Sequence, residues 1–288
     1  MGSYPTSHSP EILPPQDART PQPSRPRRRW SPIPATYVLV GINCAVYLLM
    51  VVRGVSPWGP TVYQLMHYGA DNAGSVLIEG QWWRILSAMF VHVGILHLAT
   101  NMWCLWNLGL LAEPLMDWFG VVAVYILTGA AGNLLSTWSN WVRPIHDASG
   151  AVFFPAGAGA SGAVFGIAGA LIVLLKSKRL PIPQYELNRL RKSVIYFAAI
   201  NLVIGLGLNF GSGFTGVEID NSAHIGGFLC GLLFAVPLVP RIGSPRSEFT
   251  GRMRLAVGAV VLLLVLFGFY VAHIQPPQGL MPPPGHAI

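Results

Sequence analysis

Seven stretches of the chain, residues 35–52, 92–112, 119–138, 160–175, 194–210, 222–239 and 255–272, run without a single Asp, Glu, Lys or Arg. Their apolar side chains do not alternate with polar ones, so they predict helices buried on all sides rather than half-buried strands. A helix needs about 20 residues to cross a bilayer, with about 17 as the lower limit. The segment 160–175 falls short of that. Such a span is tolerated only where protein or a water-filled cavity surrounds its end, which directs attention to its start.

The remainder is of a different character. Residues 1–34 are rich in Pro, Ser and Arg and end in Arg25-Pro26-Arg27-Arg28-Arg29-Trp30; with so few apolar side chains they predict a disordered tail. The basic run stands nearly thirty residues in and no small-residue cleavage site follows, unlike a cleavable signal. The expected organisation is a tail over 1–34, six apolar segments over 35–240, a loop and a seventh segment over 241–274, and a Pro-rich tail over 275–288.

Composition narrows the class. The chain is 52% hydrophobic and 10% charged, whereas an ordinary soluble domain carries about 25% charged residues, so a water-soluble surface cannot be built from it. Three cysteines in 288 residues exclude a disulfide-stapled scaffold, and Cys44, Cys104 and Cys230, all within apolar runs, read as inert small hydrophobes. The net charge of +7 raises nucleic acid as a partner, but the placement of the charges reports topology instead. Short cytoplasmic loops are enriched in Lys and Arg. An N-terminus inside puts Arg19, Arg25, Arg27, Arg28 and Arg29, then Lys176, Lys178, Arg179, Arg189, Arg191 and Lys192, then Arg241, Arg246, Arg252 and Arg254 on one side. Only Arg53, Arg84 and Arg143 remain on the other. The expectation is an integral multi-pass protein with its N-terminus cytoplasmic and its C-terminus external, with no nucleic-acid partner.

Polar groups inside spans are costly and mark function by default. They are His92, His97 and Asn101 in the second segment, Ser161 at the start of the fourth, and Asn221, Ser222 and His224 at the start of the sixth. All three segments start on the outside in this topology, at similar depth. Ser161 lies in Gly157-Ala158-Gly159-Ala160-Ser161-Gly162, where glycines permit a tight turn before a helix and free N–H groups at the helix start suit an oxyanion. Taken alone this motif describes a packing residue as well as a nucleophile. A serine needs an adjacent base, and histidine is the usual one. His224, Gly227 and Gly231 share one helical stripe and Gly162, Gly166 and Gly169 another, so the two helices can approach closely. His97 and Asn101, four residues apart, face the same way and are suitable donors to a negative oxygen. A metal site fits poorly: the histidine spacing does not match H-E-x-x-H, and no carboxylate falls inside a segment to complete a ligand set.

Taken together, His92-x4-His97-x3-Asn101, Gly159-x-Ser161-Gly162 and Ala223-His224-x2-Gly227-x3-Gly231, in that order, resemble the rhomboid intramembrane serine proteases of bacterial type. Trp83-Arg84 looks like the family's Trp-Arg element in the first external loop. The resemblance covers about residues 35–240. It implies an all-α polytopic membrane protein of a bacterial plasma membrane with a six-helix core, here with one additional C-terminal transmembrane helix in a 6+1 layout. It further implies a Ser161–His224 dyad with no third acidic member, an oxyanion hole from His97, Asn101 and the Ser161 backbone, and His92, Gly159, Gly162, Phe165 and Gly227 as supporting residues. The loop over 53–91 would dip partly into the bilayer, with Trp82 and Trp83 at the interface. Many bacterial members carry a tyrosine four residues after the serine; Phe165 stands there and keeps a ring to stack on His224. Asp220 reads as an external carboxylate at a helix start.

The implied activity is endopeptidase cleavage of single-span or polytopic membrane protein substrates within the lipid bilayer, through an acyl-enzyme and with no cofactor and no metal. The alternative is a catalytically inactive rhomboid-like protein with a membrane binding or trafficking role; the presence of both Ser161 and His224 argues against it. A transporter is disfavoured by the lack of an internal repeat and of a charged pathway through the segments.

Overall fold

A computed structural model describes residues 34–146, 151–177, 180, 182–211, 220–241, 245–277 and 280. The expectation of a disordered N-terminal tail, and most of that for the C-terminal tail, falls outside these residues, as do Lys178 and Arg179. Every one of the seven apolar segments coincides with helix. Among the described residues, the stretches Pro34–Val52, Ile95–Val142, Asn221–Val239 and Ser247–Ala272 are long and apolar enough to cross a membrane.

The first helix, α1 (Pro34–Val52), begins on a proline, which suits a position whose N–H has no helical partner. Its next two N–H groups, on Ala35 and Thr36, donate to the two carboxylate oxygens of Glu113 at 2.9 Å each, and Thr36 Oγ1 donates to the same group at 2.6 Å. A carboxylate from another helix thus caps α1. Glu113 is buried within a helix, so a carboxylate does lie inside the helical bundle, just past the apolar segment that ends at residue 112.

The loop that follows holds three short helices, α2 (Val62–His67), α3 (Ala73–Leu77) and α4 (Arg84–Ser87). A capping box between Thr61 and Gln64 starts α2, and the Asn72 side chain caps α3. Arg84 gathers them: its Nη1 donates to the carbonyls of Met66 and Ala70 at 2.8 Å, its Nε donates to Gln81 at 2.6 Å, and its guanidinium lies 4.7 Å from the Trp83 ring.

Helix α5 (Ile95–Val142) is one element of 48 residues by hydrogen bonding, interrupted at Asp117 (φ 67°), three residues after Pro114. It folds back there. A straight helix would put residues 97 and 132 about 50 Å apart. Instead, a Cβ at Gly159 would stand 2.5 Å from His97 Cε1, and one at Gly162, three residues on, 3.7 Å from Gly132 Cα. Its two limbs, residues 95–116 and 118–142, therefore run antiparallel and account for the second and third apolar segments.

A two-stranded ribbon, β1 (Ile145–His146) against β2 (Val152–Phe153), leads towards α6 (Ser161–Leu174), followed by α7 (Gln184–Gly211), α8 (Asn221–Ala235) and α9 (Arg246–Ala272). The ribbon is absent from the apolar pattern. Helix α7 starts ten residues ahead of its apolar segment, so Arg189, Arg191 and Lys192 sit on helix rather than in a loop. After α8 the chain tightens into a 3-10 helix, Val236–Arg241, which contains Pro237 and Pro240, neither of which can supply a helical N–H.

At 14 residues, α6 is about 21 Å long and apolar all round. Residues Gly162 to Leu171 along it are all buried, between α5 and α8. By contrast, α9 exposes Leu262, Leu263, Val265, Leu266 and Phe269, as a helix bathed in lipid would. Backbones touch in the centre because glycines face them. A Cβ on Gly227 would overlap the carbonyl oxygen of Gly162, and one on Gly231 that of Gly166. A Cβ on Gly132 would stand 2.5 Å from the Ala223 carbonyl oxygen. The glycine stripes foreseen on the fourth and sixth segments do meet, and Gly132 of α5 joins them.

Candidate active site

Ser161 is the first residue of α6, with Ala160 as its N-cap. The backbone arrives there through Gly159, whose φ of +128° is disfavoured for any residue with a side chain. Gly159 is held from both sides: its N–H donates to the Ala88 carbonyl at 2.9 Å, and the His97 ring covers its Cα. The Val164 N–H already bonds the Ala160 carbonyl at 3.0 Å. The N–H groups of Ser161, Gly162 and Ala163 are those that a helix start leaves without intrahelical partners.

The two histidines on either side of the start of α5 have readable tautomers. An N–H can only donate, so the Val93 N–H 3.3 Å from His97 Nδ1 makes that nitrogen an acceptor. In the neutral ring the proton is then on Nε2, the nitrogen that lies 2.9 Å from the Cβ position of Gly159. His92 is the reverse. Its Nδ1 donates to the Phe90 carbonyl at 3.3 Å, leaving Nε2 to accept from the Ala160 N–H at 3.5 Å. The apolar pattern put His92 on the same helix as His97, but α5 begins only at Ile95, because Gly94 (φ +93°) turns the chain immediately before it. His92 stands in the preceding loop, its ring centroid 5.4 Å from that of His97, and is fully buried. Asn101 spends one amide N–H on the His97 carbonyl at 2.9 Å.

His224 lies in the first turn of α8 and stacks on Phe165, ring centroids 4.4 Å apart and planes within 14°. Phe165 is one turn along α6 from Ser161. With Gly227 against Gly162, the stack fixes the imidazole beside the start of α6. Its Nδ1 is buried without a hydrogen-bond partner. Asp220, four residues earlier, is not that partner: one oxygen accepts from the Ala223 N–H at 2.9 Å, capping α8, and the other accepts from Ser136 Oγ.

Asp220 has a companion that the sequence did not single out. Asp71 is buried, accepts from Thr137 Oγ1 at 2.9 and 3.2 Å, and pairs its backbone with Gly157 in a bridge of 2.7 and 2.8 Å. Burial pushes its carboxyl up to about 7, Thr137 opposing and the Asp220 charge adding to the shift. Burial raises Asp220 as well, against the pull of Ser136. Nothing in the local sequence around Asp71 signals this, since its partners are 66 and 86 residues away. Among the described residues, no group of three or more His, Cys, Asp or Glu is placed to hold a metal ion.

The fold and site together define a helical membrane protein in which a short, buried, glycine-packed helix starts on a serine and, one turn on, stacks a phenylalanine on a histidine of the neighbouring helix. Comparison with known proteins gives this class its family. The rhomboid domain model matches residues 79–241. The chain is 31% identical over 254 residues to the rhomboid protease AarA of Providencia stuartii, covering 86% of each chain. It is 30% identical over 239 residues to the rhomboid protease GluP of Bacillus subtilis, with 83% of this chain and 40% of that one aligned. It is 32% identical over 193 residues to RHOMBOID-like protein 5 of Arabidopsis thaliana, with 66% and 55% aligned. The chain belongs to the rhomboid family.

Proposed function

We propose that this protein is an intramembrane serine endopeptidase in which Ser161 is the nucleophile and His224 the general base. The observation that carries the reading is the Phe165–His224 stack one helical turn from Ser161, in a helix pair whose glycines let the backbones touch. Neutral His224 takes the Ser161 proton as Oγ attacks a substrate carbonyl, then returns a proton to the leaving amine; water resolves the acyl-enzyme. The developing oxyanion is held by the Ser161 N–H, by Nε2–H of His97 and by the second amide N–H of Asn101. His92, accepting from Ala160, holds the turn that presents Ser161. The unpartnered Nδ1 of His224 and the engaged oxygens of Asp220 favour a dyad over a triad.

Substrates in this reading are membrane proteins whose helices unwind near the outer surface, since a helical backbone hides its carbonyls. The N-terminus is cytoplasmic and the C-terminus external, on the distribution of Lys and Arg. Residues 35–240 form the catalytic core and the seventh span packs outside it. Relatives named as rhomboid proteases support the activity.

The test is cleavage of a single-span reporter in liposomes by wild type, Ser161→Ala and His224→Ala, with fluorophosphonate labelling in parallel. Wild type cleaves and is labelled; both variants lose cleavage, and Ser161→Ala loses the label. Labelling that survives Ser161→Ala would assign a different nucleophile. A wild type that neither cleaves nor labels removes the enzyme reading.

A further inference from the structure

Two carboxylates outside the spans lie on neighbouring hydroxyls of one helix. Ser136 and Thr137 are consecutive residues near the end of α5; Ser136 donates to Asp220 and Thr137 to Asp71. Gly157 fits between. A Cβ there would stand 3.3 Å from Asp220 Oδ2, 3.7 Å from Asp71 Cβ and 3.9 Å from Ser136 Oγ. From this point two chains lead to the site. Gly157, bridged to Asp71 through its backbone, is four residues before Ser161. Asp220, capping α8 through the Ala223 N–H, is four residues before His224.

We propose that Asp71 and Asp220 are positioning residues for hydrolysis at Ser161, a carboxylate pair that fixes the backbone entering α6 and the first turn of α8 against the same two rungs of α5. This rests on the serine hydrolase reading above. Neither carboxylate touches a reacting atom; each acts through a main chain. Without Asp71 the bridge to Gly157 loses its anchor on α5, and the Gly159 turn that carries the Ser161 N–H is left to Ala88, His97 and His92. Without Asp220 the start of α8 loses both its cap and its hydrogen bond to Ser136 of α5. The groups facing the pair are Thr137, Ser136 and Asn140 from α5, Arg84 from α4 and Asn72 beside Asp71.

The full chain in proteoliposomes tests this with Asp71→Asn, Asp71→Leu, Asp220→Asn, Asp220→Ala and Thr137→Val. Fluorophosphonate labelling rate, kcat per labelled molecule and KM are measured alongside the melting midpoint. Asp71→Leu and Asp220→Ala lower the labelling rate and kcat at least tenfold with KM within twofold. The asparagine variants, which still accept from a hydroxyl or cap a helix, recover most of that loss. Thr137→Val, which keeps the side-chain shape and removes the donor to Asp71, lowers kcat in the same direction. A merely structural role predicts otherwise: fewer folded molecules and a lower midpoint, but an unchanged kcat per labelled molecule. That result in the variants that fold, with wild type labelled, overturns the positioning role alone. A wild type that does not label at all overturns it together with the hydrolase reading.

Discussion

Phe165 and His224 lie face to face at 4.4 Å, on two different helices. The contact fixes the imidazole plane using a residue that makes no hydrogen bond to it. A stacked ring pair is worth about 0.5–1.5 kcal/mol beyond the area it buries. Phe165→Leu should therefore lower kcat roughly 2- to 12-fold, while Phe165→Tyr, which preserves the ring, keeps the wild-type rate. Reporter cleavage in liposomes measures both. Equal rates for Leu and Phe would mean that the imidazole is held by something else.

The central helices tolerate no side chain where they cross. At Gly227 a Cβ meets the Gly162 carbonyl, and that carbonyl belongs to the helix that begins with Ser161. Overpacking costs about 1–3 kcal/mol where side chains can shift; here the neighbour is backbone, so Gly227→Ala should fall at the upper end. Gly258 on α9 has no neighbour within 4 Å of its Cβ position. Gly258→Ala should be neutral or stabilising by up to about 1 kcal/mol, through helix propensity. Melting midpoints in detergent compare the two, and similar shifts for both would contradict the close approach.

These contacts also mark what the sequence could and could not convey. Apolar runs are local, so all seven segments emerged as helix, and Ser161 at a helix start followed from Gly159 and Gly162 alone. The glycine stripes named which faces would meet, because small residues have few other reasons to recur at that spacing. His92 was misplaced by three residues, since the apolar run continues through Gly94 while the backbone does not. Glu113 fell one residue beyond a segment boundary, and its partners on α1 are 77 and 78 residues away. Asp71 was invisible for the same reason: its meaning comes wholly from Thr137, Gly157 and Asp220, which only the folded chain brings to it.

Glu113 yields a prediction about the fold rather than the chemistry. Its carboxylate satisfies the Ala35 and Thr36 N–H groups and the Thr36 hydroxyl, all buried. Glu113→Ala leaves those donors without an acceptor, at a cost on the order of 3 kcal/mol. Glu113→Gln keeps one acceptor oxygen and should lose about half as much. Differential scanning fluorimetry in detergent would show the ordering wild type, Gln, Ala. A midpoint for Ala equal to wild type would mean that water replaces the carboxylate.

Asp71 makes stability depend on pH in a direction opposite to that of an ordinary salt-bridged aspartate. Its carboxyl is raised from 3.8 to about 7, chiefly by burial. Below the unfolded value both states hold the proton and the folded state has its full advantage. Between the two values the unfolded chain ionises freely while the folded one does not, so stability falls as pH rises and levels off above about 7. One proton of difference corresponds to about 1.4 kcal/mol per pH unit, hence about 2–3 kcal/mol between pH 5 and pH 7 for this group. Asp71→Asn removes the term, because an amide holds no titrating proton. The midpoint of Asp71→Asn minus that of wild type should therefore rise steadily from pH 5 to pH 7 and stay constant to pH 8.5. Comparing the two proteins cancels the titration of groups that do not interact with Asp71. A difference that stays flat across the whole range would place the Asp71 proton outside this window and return its carboxylate to the ordinary ionised state.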